Sequence, residues 1–276
     1  MDAIEKNNAA NGEIALIKNT VLSKEVWRND AISNVINSTI CEYDIKGAHL
    51  VAIHILFGDE LYNKLAVMDK LSRNIYIGNM VKKDPDLSIK LQKLLFKFKQ
   101  KFIEENNIFI NNIIETTKDS LVLVQKIPTT TIVKVDGVDV EFRNKDGIYS
   151  SFYKLGSKSI LYDSMTGNLR IKGINMQTVQ ESEFVNLYLK ELLTTLETSI
   201  SLGNIECMKI LKQMRQKYIN ASDNSIYKSL NDKNKFIYEV AGELIETDVE
   251  INNPAAKLMK IMNYRDFVMP LMRSII

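Results

Sequence analysis

Apolar residues recur along this chain with two different periods, and the alternation between them maps its elements. Residues 1–13 are polar and read as a terminal segment outside any core. Residues 13–37 are mixed but mostly helical in pattern, with Ser23 placed to cap a helix before Lys24-Glu25-Val26-Trp27. Residues 39–45 are short and β-prone. Gly47 then opens an apolar helical run over 48–57 that Gly58 closes, and Asp59 is placed to cap a helix from 60 to about 76. Asp84-Pro85-Asp86 starts a further helix over 87–105, whose Leu91, Leu94, Leu95, Phe98 and Phe102 share one face. Asn106-Asn107 breaks it.

The period then falls to two. Residues 108–114 and 121–124 are β-rich runs around Thr116-Thr117-Lys118-Asp119-Ser120, a hairpin with an acid near its tip. Residues 129–135 and 138–142 flank Asp136-Gly137, a two-residue hairpin signal. Residues 159–162 and 169–171 flank a turn at Thr166-Gly167-Asn168. From residue 183 the helical period returns, over 184–201, 205–218, 235–247 and 254–262. The expected class is α+β: an antiparallel sheet packed by helices, then a helical C-terminal domain. The expected division is an N-terminal segment (1–38), a sheet domain (39–178) and the helical part (179–276).

Composition narrows the function classes. The 276 residues are 45% hydrophobic and 25% charged, enough for a sizeable core. No apolar run reaches the ~18 residues of a membrane span, and residues 1–13 lack the apolar core of a signal peptide. No membrane partner and a cytoplasmic location are expected. Cys41 and Cys207 stand far apart without ligand-spaced neighbours, which argues against zinc and against a disulfide. A net charge of +2 leaves any nucleic-acid binding to local patches. One such patch is Lys90, Lys93, Lys97 and Lys101 along the helix over 87–105, which reads either as a solvated flank or as a rail for a phosphate backbone.

Two acids carry the chemistry. Asp44 closes the strand-like run 39–45, and Asp119 lies in the hairpin 75 positions later. Carboxylates on adjacent strands can hold two divalent cations, the apparatus of phosphoryl transfer on nucleic acids. Taken singly, Asp44 also reads as a helix N-cap and Asp119 as a turn acid.

The order of elements resembles the palm and thumb of family B DNA polymerases, in a minimal, phage-like form. Asp44-Ile45-Lys46-Gly47-Ala48-His49 is similar to the first palm motif, with Gly47 at the family's Ser and His49 at its Tyr. Lys70-Leu71-Ser72-Arg73-Asn74-Ile75-Tyr76-Ile77-Gly78 resembles the fingers helix, keeping its Lys, Asn and Gly. Thr117-Lys118-Asp119-Ser120 resembles the Asp-Thr-Asp-Ser hairpin with Thr117 at the first acid. Tyr153-Lys154 and Arg170-Ile171-Lys172-Gly173-Ile174-Asn175 sit where the family contacts primer and enters the thumb. The resemblance spans roughly residues 39–196. It departs in a short connection, since Lys70 follows Asp44 by only 26 positions. That leaves reduced fingers at about 58–85 and no room for an exonuclease domain.

The resemblance implies a template-directed nucleotidyltransferase using Mg²⁺, or Mn²⁺ in its place. Asp44 and Asp119 would be the catalytic metal ligands. Lys70, Arg73, Asn74 and His49 would meet the nucleoside triphosphate. Tyr153, Lys154, Lys158, Lys172, Lys93 and Lys97 would meet a DNA primer-template, or RNA. A catalytically reduced nucleic-acid-binding protein, or one subunit of a split polymerase whose second polypeptide supplies the missing parts, is the alternative.

Overall fold

A computed structural model describes residues 12–22, 26–156, 158–172, 189–200, 205–206, 208–210, 212–213, 216, 236–240 and 243–247. The fold is α+β, and every strand pair with a defined register is antiparallel. The strands are β1 (Trp27–Arg28), β2 (Asn34–Val35), β3 (Ile40–Ile45), β4 (Ile113–Thr116), β5 (Ser120–Val124), β6 (Ile132–Val135), β7 (Val138–Tyr149), β8 (Ser151–Leu155), β9 (Lys158–Asp163), β10 (Asn168–Lys172), β11 (Phe236–Val240) and β12 (Glu243–Thr247). The helices are α1 (Ala48–Phe57), α2 (Asp59–Ala66), α3 (Lys70–Lys83), α4 (Pro85–Glu105) and α5 (Lys190–Ile200). No helix among the described residues is long and apolar enough to cross a membrane.

The chain divides into two compact units, residues 1–30 with 40–148 and residues 31–39 with 149–276. The division expected between residues 178 and 179 differs from this one, which falls between Ile148 and Tyr149. Strands β8 to β10, expected within one sheet domain over 39–178, form a separate sheet in which β8 pairs with β2 from the 31–39 excursion.

In the first unit six strands form a sheet in the order β1-β4-β5-β3-β7-β6. Period two on β3 sends Cys41, Tyr43 and Ile45 into one core with Leu121 and Leu123 of β5, and sends Glu42 and Asp44 to the opposite face. Helix α4 covers the apolar face. Its Leu87, Leu91, Leu94, Leu95, Phe98, Phe102 and Ile103 are all buried. Phe102 is the centre of this contact, stacked on Phe142 with centroids 4.0 Å apart and 5.7 Å from the Tyr43 ring. Asp84 caps α4 by accepting from the Asp86 N–H, with Pro85 in the first turn, as the sequence signals require.

Local signals place the other boundaries. Gly47 takes φ 62° ahead of α1, a conformation that costs any residue with a Cβ. Asp136 (φ 51°) and Gly137 (φ 83°) form the left-handed pair that turns β6 into β7. The single helix expected over 60–76 is two helices. Asp69 accepts from the Leu71 and Ser72 N–H groups and so starts α3 anew. Helix covers only part of 13–37: β1 and β2 lie within that stretch, each held by a partner far along the chain, and Ser23 lies outside the described residues.

In the second unit four strands pair in the order β10-β9-β8-β2. Leu192, Leu193 and Leu196 of α5 are fully buried. The buried Glu197 carboxylate accepts from the Ser150 hydroxyl at 3.0 Å and from the Ser151 hydroxyl, and Tyr162 Oη meets Thr194 Oγ1 at 2.6 Å. The described residues over 205–216 are helical, as expected. Residues 236–240 and 243–247 are strands, not part of the helix expected over 235–247: β11 and β12 pair antiparallel with Val240 opposite Glu243. Phe236, Ile237, Tyr238 and Val240 are strand formers that outweigh the helix formers Ala241, Glu243 and Leu244. The helix expected over 254–262 lies outside the described residues.

Removing the central ring tests this packing. Phe102→Ala is expected to destabilise the protein by about 3–5 kcal/mol, read as a lower urea midpoint. Lys93→Ala on the exposed side of α4 is expected to shift it by less than about 0.5 kcal/mol.

Candidate functional site

The register of β3 against β5 brings the two acids to one end of the sheet. Asp44 lies opposite Ser120, and the Ile45 N–H donates to the Asp119 carbonyl at 2.9 Å. Thr117 and Ser120 close the β4–β5 hairpin through the Thr117 N–H to Ser120 carbonyl bond, leaving Lys118-Asp119 as the two turn residues. The acids are thus one register step apart. Asp119, the last turn residue, precedes Ser120 and so follows directly on the last pair of the ladder. Within the hairpin Thr117 Oγ1 lies 2.8 Å from Ser120 Oγ and 3.5 Å from Asp119 Oδ1.

Two lysines approach this end of the sheet. Lys145 of β7 places Nζ 2.9 Å from Asp44 Oδ2, with the two side chains 37% and 17% exposed. Lys99 of α4 is 2% exposed and donates to the Thr117 carbonyl at 2.6 Å. Burial lowers its pKa to about 8, against an opposing pull from the Asp119 charge. Neither lysine is among the residues that the sequence singles out. Lys99 had a signal: it continues the Leu91-Leu95-Ile103 row of α4, a cation at a core position. Lys145 had none, since its place follows from the pairing of β7 beside β3.

Beside the hairpin lies a groove of about 320 Å³ lined by His49, Asn74, Ile77, Gly78, Val81, Ser88, Leu91, Gln92, Leu95 and Lys118. Two expected nucleotide contacts, His49 and Asn74, meet here, one from α1 and one from α3. Desolvation lowers the His49 pKa, Asp119 opposes that shift and Lys118 adds to it. The other two do not line the groove: Lys70 is exposed at the start of α3, and Arg73 is half-buried one turn on.

The expected nucleic-acid contacts divide. Lys93 is exposed, while Lys97 is paired with Asp136 at 2.5 Å. Tyr153, Lys154, Lys158 and Lys172 belong to the second unit. Lys154, Lys158 and Lys172 are half-buried. Tyr153 is 0% exposed, because β8 is an interior strand between β9 and β2 rather than an edge. Its ring is a packing residue of that sheet.

As a cation site the donor set is small. The carboxylate and hydroxyl oxygens of Asp44, Asp119, Thr117 and Ser120 are the hard donors that Mg²⁺ or Mn²⁺ takes. Among the described residues no group of three or more His, Cys, Asp or Glu side chains is placed to hold a metal ion.

The buried lysine has a pH signature. Its folded pKa of about 8 lies below the ordinary 10.5, so between those values the unfolded chain binds more protons and stability rises with pH. Wild type minus Lys99→Met is expected to gain up to a few kcal/mol of unfolding free energy from pH 8 to 10.5, measured by urea titration at each pH. A flat difference would remove Lys99 as a buried ammonium.

A comparison with curated proteins gives no match. The family model described as Bacteriophage PBS1 gene 130 protein matches residues 2–276, and the chain belongs to that family.

Proposed function

We propose that this protein is a metal-dependent nucleotidyltransferase on a polymerase-like palm, with residues 179–276 in the place of a thumb. It would extend a primed DNA or RNA strand from nucleoside triphosphates in the cytoplasm. The observation that carries the reading is the β3–β5 register, which sets Asp44 and Asp119 at the same strand ends beside a groove holding His49 and Asn74. The family match carries no such assignment, and the reading rests on these residues.

Strand extension is an in-line attack of a 3′-hydroxyl on an α-phosphate, in which positioning and charge neutralisation dominate. Divalent cations, when bound, neutralise the phosphate oxygens and lower the pKa of the attacking hydroxyl. The chain's own part is to hold the cation at Asp44 and Asp119. Asn74 and His49 line the nucleotide groove, and Lys118 meets the phosphates as a point charge. Exposed Lys93 offers a sequence-independent contact to a backbone.

A second reading has its own support. The Lys145–Asp44 ion pair occupies one carboxylate oxygen of the first acid. That favours a catalytically reduced nucleic-acid-binding protein, or one subunit of a split polymerase that needs a second polypeptide.

Primer extension with labelled DNA and RNA primers, either class of nucleotide, and Mg²⁺ or Mn²⁺ separates these. Extension by the wild type, reduced about 100-fold or more by Asp44→Asn and by Asp119→Asn, is the expected result. No incorporation under any combination, with primer-template binding that survives both substitutions, would establish the reduced protein instead.

A further inference from the structure

Gly78 sits in the third turn of α3, a helix that it weakens, since glycine is the poorest helix former after proline. Neither usual reason for a helical glycine holds here. Its φ is not in the left-handed region. A Cβ built on it meets no atom within 4 Å, so no neighbouring backbone needs the space. What adjoins it is the groove of about 320 Å³. Asn74, Gly78 and Val81 follow one another at helical spacing along its α3 wall, so a side chain at position 78 would stand in the groove itself. The missing side chain keeps that room open.

The groove has two unlike ends. Helices α3 and α4 pack together and are joined at Asp84 alone, so Val81 and Ser88 mark the joined end and Asn74 and Leu95 the far one. Asn74 to Val81 covers about 10 Å of helix axis. Lys99, one turn past Leu95, donates to the Thr117 carbonyl, which brings the β4–β5 hairpin and Lys118 to the far end. Between the ends Ile77, Val81 and Leu91 make an apolar wall, and the Asn74 and Gln92 amides face the groove from the two helices. Among the described residues no Asp or Glu lines it. A volume at the lower edge of the small-ligand range, an apolar slot, amides that both donate and accept, and a cation at one end are complementary to a flat heterocycle carrying an anion.

We infer that this groove binds one nucleoside phosphate without a divalent cation, its base in the slot that Gly78 keeps open and its phosphate toward Lys118. The inference rests on the nucleotide groove of the reading above, and on neither its cation nor its chemistry. Gly78 becomes the residue that sets what fits. With no carboxylate in the lining, no bridging cation is needed, and Lys118 meets the phosphate directly as a point charge.

Isothermal titration of the full chain with AMP, adenosine and inorganic phosphate, each in EDTA and in Mg²⁺, tests this apart from turnover. The wild type is expected to bind AMP in EDTA, adenosine about tenfold more weakly, and phosphate alone more weakly still. Gly78→Leu should weaken AMP and adenosine alike, by about tenfold or more. Lys118→Met should weaken AMP about tenfold and leave adenosine unchanged. Gly78→Ala, which improves the helix, should melt no lower than wild type and still weaken both ligands by a smaller factor, and it carries the test if Gly78→Leu misfolds. AMP bound equally by wild type and both Gly78 variants, or phosphate bound as tightly as AMP, overturns the slot. Binding of AMP only in Mg²⁺, or primer extension without AMP binding in EDTA, overturns the inference and leaves the metal-dependent reading standing. The expected binding pattern without primer extension upholds the inference and overturns the catalytic reading.

Discussion

The antiparallel pairing of β3 with β5 is the constraint on which the first unit depends. It fixes five residue pairs from Ile40 opposite Val124 to Asp44 opposite Ser120. A slip of one residue would exchange Cys41, Tyr43 and Ile45 for Glu42 and Asp44 at the face covered by α4. Such a slip would bury two carboxylates among Leu91, Phe98 and Phe102. The apolar face therefore locks the register, and the register in turn sets where the acids emerge. The position of the acids at the sheet's end is a by-product of packing in its middle.

Lysines complete that arrangement in two ways. Lys99 reaches the hairpin from beneath, through the helix that forms the core. Lys145 reaches Asp44 from the side, along the neighbouring strand. The first cannot leave without disturbing α4, and the second can. Immediately after Lys145, Asp146 and Gly147 have φ of 62° and 88°, so the extended path of β7 is interrupted beside the ion pair.

What could be seen in the sequence was local. Asp136-Gly137, Asp84-Pro85 and Gly47 each announce an element through the backbone conformation they favour, and each element is where it was expected. That the Asp44 strand lies beside the Asp119 hairpin was suggested by the family resemblance, not by periodicity or spacing. Long-range facts were hidden. Strands of two residues such as β1 and β2 carry no periodicity, and only Thr116 and Tyr153, more than 85 positions away, make them strands. Tyr153 reads as a primer contact in the sequence, and only the place of β8 between β9 and β2 makes it an interior residue. The β11–β12 hairpin was hidden by Ala and Glu, whose helix propensity is overridden by pairing.

The excursion of residues 31–39 into the second unit has a consequence for the order in which the protein can form. The polypeptide crosses between units after residues 30, 39 and 148. During synthesis β2 appears early, yet its partner β8 begins at Ser151, and α5, whose Glu197 carbonyl accepts from Asn37, begins at Lys190. The first unit's strands and helices are complete by residue 148, so it can condense while the loop 31–39 waits unpaired. The second unit must close over a separation of more than 100 residues, a contact of high order that slows its assembly. The pairing of β2 therefore waits until β8 and α5 have been made, by which point every residue of the first unit is already present.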